Sequence, residues 1–406
     1  MRGVSRLLHL VMALLLVAAV SAVGAPAASA RDQYWIEQLH LPLAWEQTRG
    51  AGVIVGLVDT GVDPTRPDLQ GALLPQPTSS GIEGIPPMDE IGHGTSMARF
   101  IAGRGGGPDG VLGVAPEARV LSIDLPLLSG GLLMTDQNTK TVIDGGATVL
   151  NLSFGGVQPP SVGGGGDSLR YDEVLEYAEA RDVVVVTSAG NVATQPDKLF
   201  APATRPGVIA VSAIDATGAF RPDVSVQGPG VELAAPGVDM PGLHAPDSGP
   251  LSAGPAPLPR LTSGTSNSSA IVSGVAALVR AKYPELNAAS VVQRLISTAR
   301  DAGPPGHDPQ YGHGIVDPVA ALAADVAPVT ENPLGSVIDP VVTTPPPVAQ
   351  GPAESSAGQQ IPLALVAGVL GGGAALIGAV VLVVVLVAQR RKSAPIRRYP
   401  PPGTWQ

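Results

Sequence analysis

The sequence GVIVGLVDTG at residues 52–61 decides the fold of this chain. Its first seven residues are uncharged and rich in valine, without polar alternation, which is typical of a strand buried on both faces of a parallel sheet. Similar apolar runs recur at four later places: residues 118–123, 147–152, 182–187 and 207–212. We therefore predict a largely parallel sheet that begins with this strand.

Helical stretches lie between and after these strands. Their residues are 95–102, 134–144, 167–181, 266–282 and 288–299. Strands that alternate with helices predict an α/β fold, a doubly wound, mostly parallel sheet flanked by helices. Ligands of such folds bind beyond the carboxyl ends of the strands, so the residues that follow each strand are the first candidates for a functional site.

The two ends of the chain predict export and membrane anchoring. Residues 1–30 have a basic start, an apolar run and a final Ala-Ser-Ala, which is typical of a cleaved secretory signal peptide. Residues 361–388 are uncharged and long enough to span a bilayer, and basic residues follow at once. The alternatives are a retained first membrane helix and a buried core helix, respectively.

This organisation predicts five segments. They are a signal peptide (1–30), a globular domain (31–326), a Pro-rich linker (327–360), a transmembrane helix (361–388) and a basic cytoplasmic tail (389–406). We expect a single-pass protein of the cell membrane, with the globular domain on the extracytoplasmic side.

Composition excludes several classes of function. The chain has 406 residues, a formal net charge of -10 and no cysteine. The acidic balance argues against nucleic-acid binding, which needs basic surfaces. The absence of cysteine excludes disulfides, thiol catalysis and thiolate metal sites.

Polar residues stand where the predicted strands end and where two small-residue helices begin. Asp59 follows the first strand and Asn191 follows the fourth, in the sequence VTSAGN. His93 opens GHGTSMARFIAG, and Ser266 opens the helix in SGTSNSSAIVSG. A helix start offers free N–H groups and a partial positive charge, which suit an oxyanion.

These motifs, DTG, HGT and GTS in that order, resemble the subtilisin family of serine proteases over about residues 35–322. The resemblance implies a catalytic triad of Asp59, His93 and Ser266. It also implies that Asn191 donates to the oxyanion. The resemblance further implies that Ser153, Phe154 and Gly155 pair with the substrate backbone.

Each of these residues also has an ordinary structural interpretation. Asp59 can form a turn and Ser266 can cap a helix. His313 stands in a second GHG triplet, for which we expect a structural role, because no small-residue helix follows it. The segment after Ser266 departs from the family, since it contains polar residues and no proline.

No cofactor or metal is expected. Some subtilisins hold calcium in a loop after the histidine helix, but residues 103–110 contain one acidic residue here. Calcium takes six to eight oxygen ligands, so this loop is a poor site, although Asp68 is a candidate for a second one.

The order of segments resembles the mycosins, membrane-anchored proteases associated with type VII secretion. The resemblance implies a serine endopeptidase that cleaves polypeptides through an acyl-enzyme. Its implied partners are the membrane, through the C-terminal helix, and a type VII secretion membrane complex. The alternative is a weakly active or inactive subtilisin-fold scaffold of such a complex.

Overall fold

Strand β1 (Ile54–Asp59) belongs to a six-stranded sheet in which every neighbouring pair is parallel, as the computed structural model shows. The order across the sheet is β2-β1-β5-β6-β7-β8. The other strands of this sheet are β2 (Arg119–Asp124), β5 (Val149–Leu152), β6 (Val184–Ser188), β7 (Ile209–Ile214) and β8 (Leu233–Pro236). The predicted α/β fold with a mostly parallel sheet flanked by helices is confirmed.

The structure describes one part of the chain. The chain divides into two units, residues 1–341 and 342–406, and the described residues all lie in the first. They are 33–77, 89, 91–107, 109–125, 127–128, 131–132, 136–153, 168–194, 198–244 and 258–338. The predicted signal peptide, transmembrane helix and cytoplasmic tail lie outside them. Within the described residues, no helix combines the length and apolar character needed to cross a bilayer.

Alternate residues of the strands face two separate helical layers. In β1, Val55 and Leu57 pack into the core beneath α3 (His93–Ala102) and α6 (Thr265–Lys282), whereas Val58 packs on the opposite face. That second face is covered by α4 (Asp136–Asp144) and α5 (Ser168–Glu179). Because both faces are buried, most residues of the strands are apolar, which is the pattern in the sequence.

Helix α6 is the centre of the first layer and is buried from Thr265 to Arg280. It packs across β5, β6, β7 and β8 and against α3. Small residues allow this close approach. A Cβ on Gly274 would lie 2.6 Å from the Cβ of Val114, so a larger residue would push the helix away.

The order of strands reverses direction next to β1. The chain goes from β1 to β2 on one side and later to β5 on the other. A crevice opens at such a reversal, beyond the carboxyl ends of the strands. Asp59 ends β1 and Ser153 follows β5, so both lie at this point of the sheet.

Several short elements have no counterpart in the sequence prediction. The helices among them are α1 (Tyr34–Gln38), α2 (Leu41–Trp45) and α8 (Pro318–Ala323). The strands among them form two antiparallel pairs, β3–β4 (Leu127–Leu128 and Gly131–Leu132) and β9–β10 (Met240–His244 and Leu258–Thr262). The predicted helix at 288–299 is α7 (Ala288–Ser297).

The packed unit extends beyond residue 326, where the sequence analysis ended the globular domain. Val329 exchanges hydrogen bonds with the hydroxyl of Ser290, and the Asn332 amide donates to the carbonyl of Gly207 at 3.1 Å. These contacts fix residues 328–334 along the side of the domain, although their sequence has no helical or strand period.

Candidate active site

Asp59 and His93 form a direct pair at the carboxyl end of the sheet. Asp59 is fully buried, and its Oδ1 lies 2.7 Å from Nδ1 of His93. The same oxygen accepts the backbone N–H of Thr60 at 2.7 Å. A carboxylate on Nδ1 places the imidazole proton there and leaves Nε2 free to accept a proton, which is the arrangement that a general base needs.

Both glycines beside His93 are required by the backbone. Gly92 has φ +84°, the left-handed region, and precedes the first residue of α3. A Cβ on Gly94 would lie 2.1 Å from the carbonyl oxygen of Gly61 and 3.1 Å from Oδ1 of Asp59. The glycine therefore lets α3 start close enough to β1 for His93 to reach Asp59.

Asp89 is a functional residue that the sequence analysis missed. Its Oδ2 accepts the N–H of Thr95 at 2.7 Å, and its Oδ1 accepts the N–H of Gly92 at 2.7 Å and the hydroxyl of Thr60 at 2.8 Å. Thr60 in turn accepts the N–H of Gly94 at 2.9 Å. Asp89 thus caps the start of α3 and ties it to the residue after Asp59.

The two carboxylates set the basicity of His93. Burial on its own lowers the pKa of the imidazole, but the charges of Asp59 and Asp89 and the hydrogen bond to Asp59 outweigh it, so the pKa of His93 is raised. Burial raises the pKa of Asp89, against the lowering effect of its hydrogen bonds to Thr95 and Thr60.

Ser266 is the second residue of α6 and is connected to the end of β5. Its hydroxyl donates to the carbonyl oxygen of Ser153 at 2.8 Å. The hydroxyl of Ser153 donates back to the carbonyl oxygen of Ser266 at 3.2 Å. Since a hydroxyl has one proton, Ser266 must rotate before it can donate that proton to His93.

The polar residues after Ser266 are all buried and bonded. Asn267 donates to the carbonyl oxygen of Gly237 at 3.1 Å, and Ser268 donates to that of Ala235 at 3.0 Å. Ser269 donates to the carbonyl oxygen of Ser266 at 2.9 Å. The bonds of Asn267 and Ser268 fasten the first turn of α6 to β8 and the residue after it, in a segment that has no proline to preset the backbone.

Asn191 is held beside Ser266 by Thr265, the residue that precedes Ser266. Its Oδ1 accepts both the backbone N–H and the hydroxyl of Thr265, at 2.9 and 3.0 Å. The oxygen of the amide is thereby occupied, which leaves its N–H groups to donate elsewhere. Gly264 lies against this amide, since a Cβ there would be 3.3 Å from Nδ2 of Asn191.

Two expected substrate-binding residues, Phe154 and Gly155, lie outside the described residues, so of the expected substrate strand only Ser153 can be located.

Asp68, the candidate for a second calcium site, forms a buried ion pair with Arg99. Its Oδ2 accepts from Nε of Arg99 at 2.6 Å and from the N–H of Val111 at 2.9 Å. A buried carboxylate already bonded to an arginine is a poor calcium ligand.

The expected site residues that the structure describes therefore lie at one edge of the sheet. Asp59, Ser153 and Asn191 follow three neighbouring strands, β1, β5 and β6. His93 is hydrogen-bonded to Asp59, and Ser266 is hydrogen-bonded to Ser153. A hydroxyl, an imidazole oriented by a carboxylate, and an amide group are the groups that nucleophilic catalysis with oxyanion stabilisation requires.

Residues 50–314 match the model of the subtilase family of peptidases. The chain belongs to the subtilase family. The expectation of a subtilisin-like serine endopeptidase is thereby confirmed at the level of the family.

The relatives of this subtilase include mycosins. It is 34% identical to Mycosin-5 of Mycobacterium tuberculosis (strain ATCC 25618 / H37Rv) over 326 residues, which cover 69% of this chain and 55% of Mycosin-5. The chain thus matches little more than half of that relative's length.

Solved structures give the same result. The MycP3 protease from the type VII (ESX-3) secretion system is 34% identical, with a TM-score of 0.58 over 75% of this chain and 90% of that one. A chain in the structure of an intact ESX-5 inner membrane complex is 31% identical, with a TM-score of 0.60 over 89% of this chain and 92% of that one. The recognition of a mycosin-like subtilase is therefore confirmed.

The raised pKa of His93 predicts the pH dependence of this subtilase. A general base acts in its neutral form, so with His93 as the base kcat/KM should rise with pH, with a midpoint above the ordinary histidine value of about 6.5. Asp89→Asn removes one of the negative charges that hold the proton on His93, so the midpoint should move to lower pH. The measurement is the pH profile of kcat/KM for a peptide substrate.

Asp63→Asn is the matched control, because the carboxylate of Asp63 bonds to the exposed Thr65 and an amide oxygen can accept the same bonds. Its midpoint should equal that of the wild type. An Asp89→Asn midpoint at or above the wild-type value would contradict the assignment.

Proposed function

We propose that this chain is a membrane-anchored, extracytoplasmic serine endopeptidase associated with a type VII secretion complex. Asp59, His93 and Ser266 are its catalytic triad. The observation that carries the proposal is the 2.7 Å contact between Oδ1 of Asp59 and Nδ1 of His93, at the sheet edge where Ser266 lies in the first turn of α6.

The reaction begins when Ser266 turns from the Ser153 carbonyl towards Nε2 of His93. His93 takes the hydroxyl proton as the serine oxygen attacks a peptide carbonyl carbon. The tetrahedral intermediate then collapses to an acyl-enzyme, and His93 gives the proton to the leaving amine. Water, deprotonated by His93, releases the acyl group and restores Ser266.

Asn191 supplies a donor to the oxyanion, together with the backbone N–H of Ser266. Its orientation supports this role, because Thr265 holds the amide oxygen and leaves the amide nitrogen available. The substrate backbone pairs as an added strand with residues 153–155, after the end of β5.

Asn191→Ala should lower kcat by about 10²–10³-fold with little change in KM, because the donor acts on the charge of the transition state. Thr265→Val removes the hydroxyl that donates to the Asn191 oxygen and accepts from the N–H of Gly190, but leaves the backbone N–H of Thr265 on Asn191, so its loss of kcat should be smaller. Steady-state hydrolysis of a peptide substrate measures both. Equal activity in Asn191→Ala and wild type would remove Asn191 from the mechanism.

The proposed membrane anchor and location depend on residues 361–388 and on the relatives. A chain in an ESX-5 inner membrane complex and one in the periplasmic assembly of such a complex are 31% and 30% identical to this chain. Both support an extracytoplasmic domain that works beside a membrane complex. The basic residues after residue 388 support a cytoplasmic tail.

A second candidate function, a weakly active scaffold of such a complex, is favoured by one observation. The hydroxyl proton of Ser266 is donated to Ser153 and not to His93. Complementation of a deletion strain separates the two functions. If Ser266→Ala restores secretion as well as wild type does, the scaffold role is sufficient; if only the wild type restores it, cleavage is required.

The direct test of the proposed reaction is cleavage of an unfolded protein by the purified full-length chain. We expect cleavage at discrete positions, lost in the Ser266→Ala variant. A folded wild-type chain that cleaves no unfolded protein would overturn the peptidase proposal in favour of the scaffold.

A further inference from the structure

A second cluster of ionisable side chains lies away from the proposed catalytic residues. Glu232, His307 and His313 each present one ligand atom, and the three atoms lie within 4.8 Å of one another. Glu232 immediately precedes β8, so the cluster lies at the amino-terminal edge of the sheet, opposite the edge that carries Asp59 and Asn191. We refer to these three residues as the Glu-His-His cluster.

The distances within the cluster are too long for hydrogen bonds. Oε2 of Glu232 is 3.5 Å from Nε2 of His313 and 3.6 Å from Nε2 of His307, whereas an N–H···O bond spans 2.7–3.2 Å. Two ligands on one tetrahedral zinc ion, with bonds of about 2.0–2.1 Å, are about 3.3 Å apart. The two distances from Glu232 therefore resemble those between ligands that share a metal ion.

The backbone holds two of the three ligands in place without a metal. The N–H of His313 donates to the carbonyl oxygen of Glu232 at 2.9 Å. Gly312 has φ +61°, and a Cβ there would lie 2.3 Å from the carbonyl carbon of Glu232. The second GHG triplet of the sequence thus lets the chain pass directly over Glu232, which places His313 beside its carboxylate.

The third ligand is carried by a loop that is anchored at several points. Asp308 and Gly312 exchange two backbone hydrogen bonds at 2.9 and 3.0 Å. The carbonyl oxygens of Pro309 and Gln310 accept from the N–H of Gly228 and the hydroxyl of Ser212. These bonds fix residues 308–312, so His307 is held next to His313, with ring centroids 4.8 Å apart.

We propose that the Glu-His-His cluster binds a divalent transition-metal ion, with Zn²⁺ as its representative. Two imidazoles and one carboxylate are the donors that such ions prefer, whereas Ca²⁺ and Mg²⁺ take oxygen ligands. Three protein ligands leave a fourth position for water. The ion fastens the loop at residues 307–313 to the start of β8, so its effect is on the stability of the domain.

The test uses the purified full-length chain after removal of metals by a chelator. Titration with zinc sulfate in a calorimeter should give one Zn²⁺ per chain with a dissociation constant in the micromolar range or below, and the Tm should rise. Cobalt(II) in place of zinc should give the visible absorption of a four-coordinate site. None of these measurements depends on peptidase activity.

Three variants and one control decide the assignment. His307→Gln, His313→Gln and Glu232→Gln should each weaken zinc binding by at least about 10²-fold and abolish the Tm rise. His40→Asn is the matched control, because His40 is an exposed histidine outside the cluster, with φ 51°, which asparagine tolerates.

The proposal is overturned if the wild type shows no saturable zinc binding. It is equally overturned if His307→Gln, whose side chain is exposed, binds zinc as the wild type does. The Tm of each variant without metal shows whether the chain is folded when its binding is measured.

Discussion

Replacing Ser266 with alanine is expected to abolish peptide-bond hydrolysis while the domain remains folded. The nucleophile is removed, and members of a catalytic triad act as a unit, so kcat should fall on the order of 10⁶-fold. The structural cost is small, because the Ser266 hydroxyl makes one hydrogen bond, to the carbonyl oxygen of Ser153, worth about 1 kcal/mol. Peptide hydrolysis and thermal unfolding measure the two effects.

Ser263→Ala is the matched control for this variant. Ser263 is exposed and lies three residues before Ser266, and its hydroxyl contacts Asp239. Its kcat should equal that of the wild type. Residual hydrolysis in Ser266→Ala at a rate near the wild-type value would mean that another residue is the nucleophile.

The second large effect is expected from Asp59→Asn. Asparagine fits the same buried space, but its N–H₂ group or its neutral oxygen no longer holds the Nδ1 proton of His93 as the carboxylate does. The wrong tautomer then predominates, and kcat should fall by about 10⁴-fold. KM should change little, because Asp59 is fully buried and bonds to His93 and Thr60.

Asp63→Asn serves again as the control, four residues further along and at a surface turn. We expect its kcat to match the wild type. If Asp59→Asn kept wild-type kcat across the pH range, the contact between Asp59 and His93 would be structural only.

Five of the six strands of the sheet were predictable because they are buried on both faces and therefore mostly apolar. β1, β5 and β6 are mostly apolar, and the structure begins and ends them within about two residues of the predicted bounds. Strand β8 was not predicted, since the strand has only four residues, LAAP, and ends in proline. The five-residue helices α1 and α2 are stabilised by tertiary packing, with Trp35 and Leu41 fully buried, and leave no periodic pattern.

The candidate site shows a similar division. Asp59, His93 and Ser266 were found because each stands in a short motif at a strand end or a helix start. Asp89 was missed, because an aspartate four residues before a histidine carries no pattern of its own. Its role depends on the hydrogen bonds to Thr60, Gly92 and Thr95, which the fold alone brings together.

Long-range pairs were beyond the sequence for the same reason. Ser153 was expected to contact substrate, but the structure also joins it to Ser266 and Ser269 across the sheet and α6. The Glu-His-His cluster unites Glu232 with two histidines of a distant loop. The spacing of these residues in the sequence does not predict that they meet, because their contact depends on how the loop at residues 307–313 packs beside β8.

The most direct measurement of the central claim, that Asp59, His93 and Ser266 act together, is covalent labelling by a fluorophosphonate probe, followed by mass spectrometry of the digested chain. We predict one label per chain on Ser266 in the wild type, none there in Ser266→Ala, and labelling at least about 10³-fold slower in His93→Ala. A label on another residue, no label on folded wild type, or an equal rate in His93→Ala would contradict it.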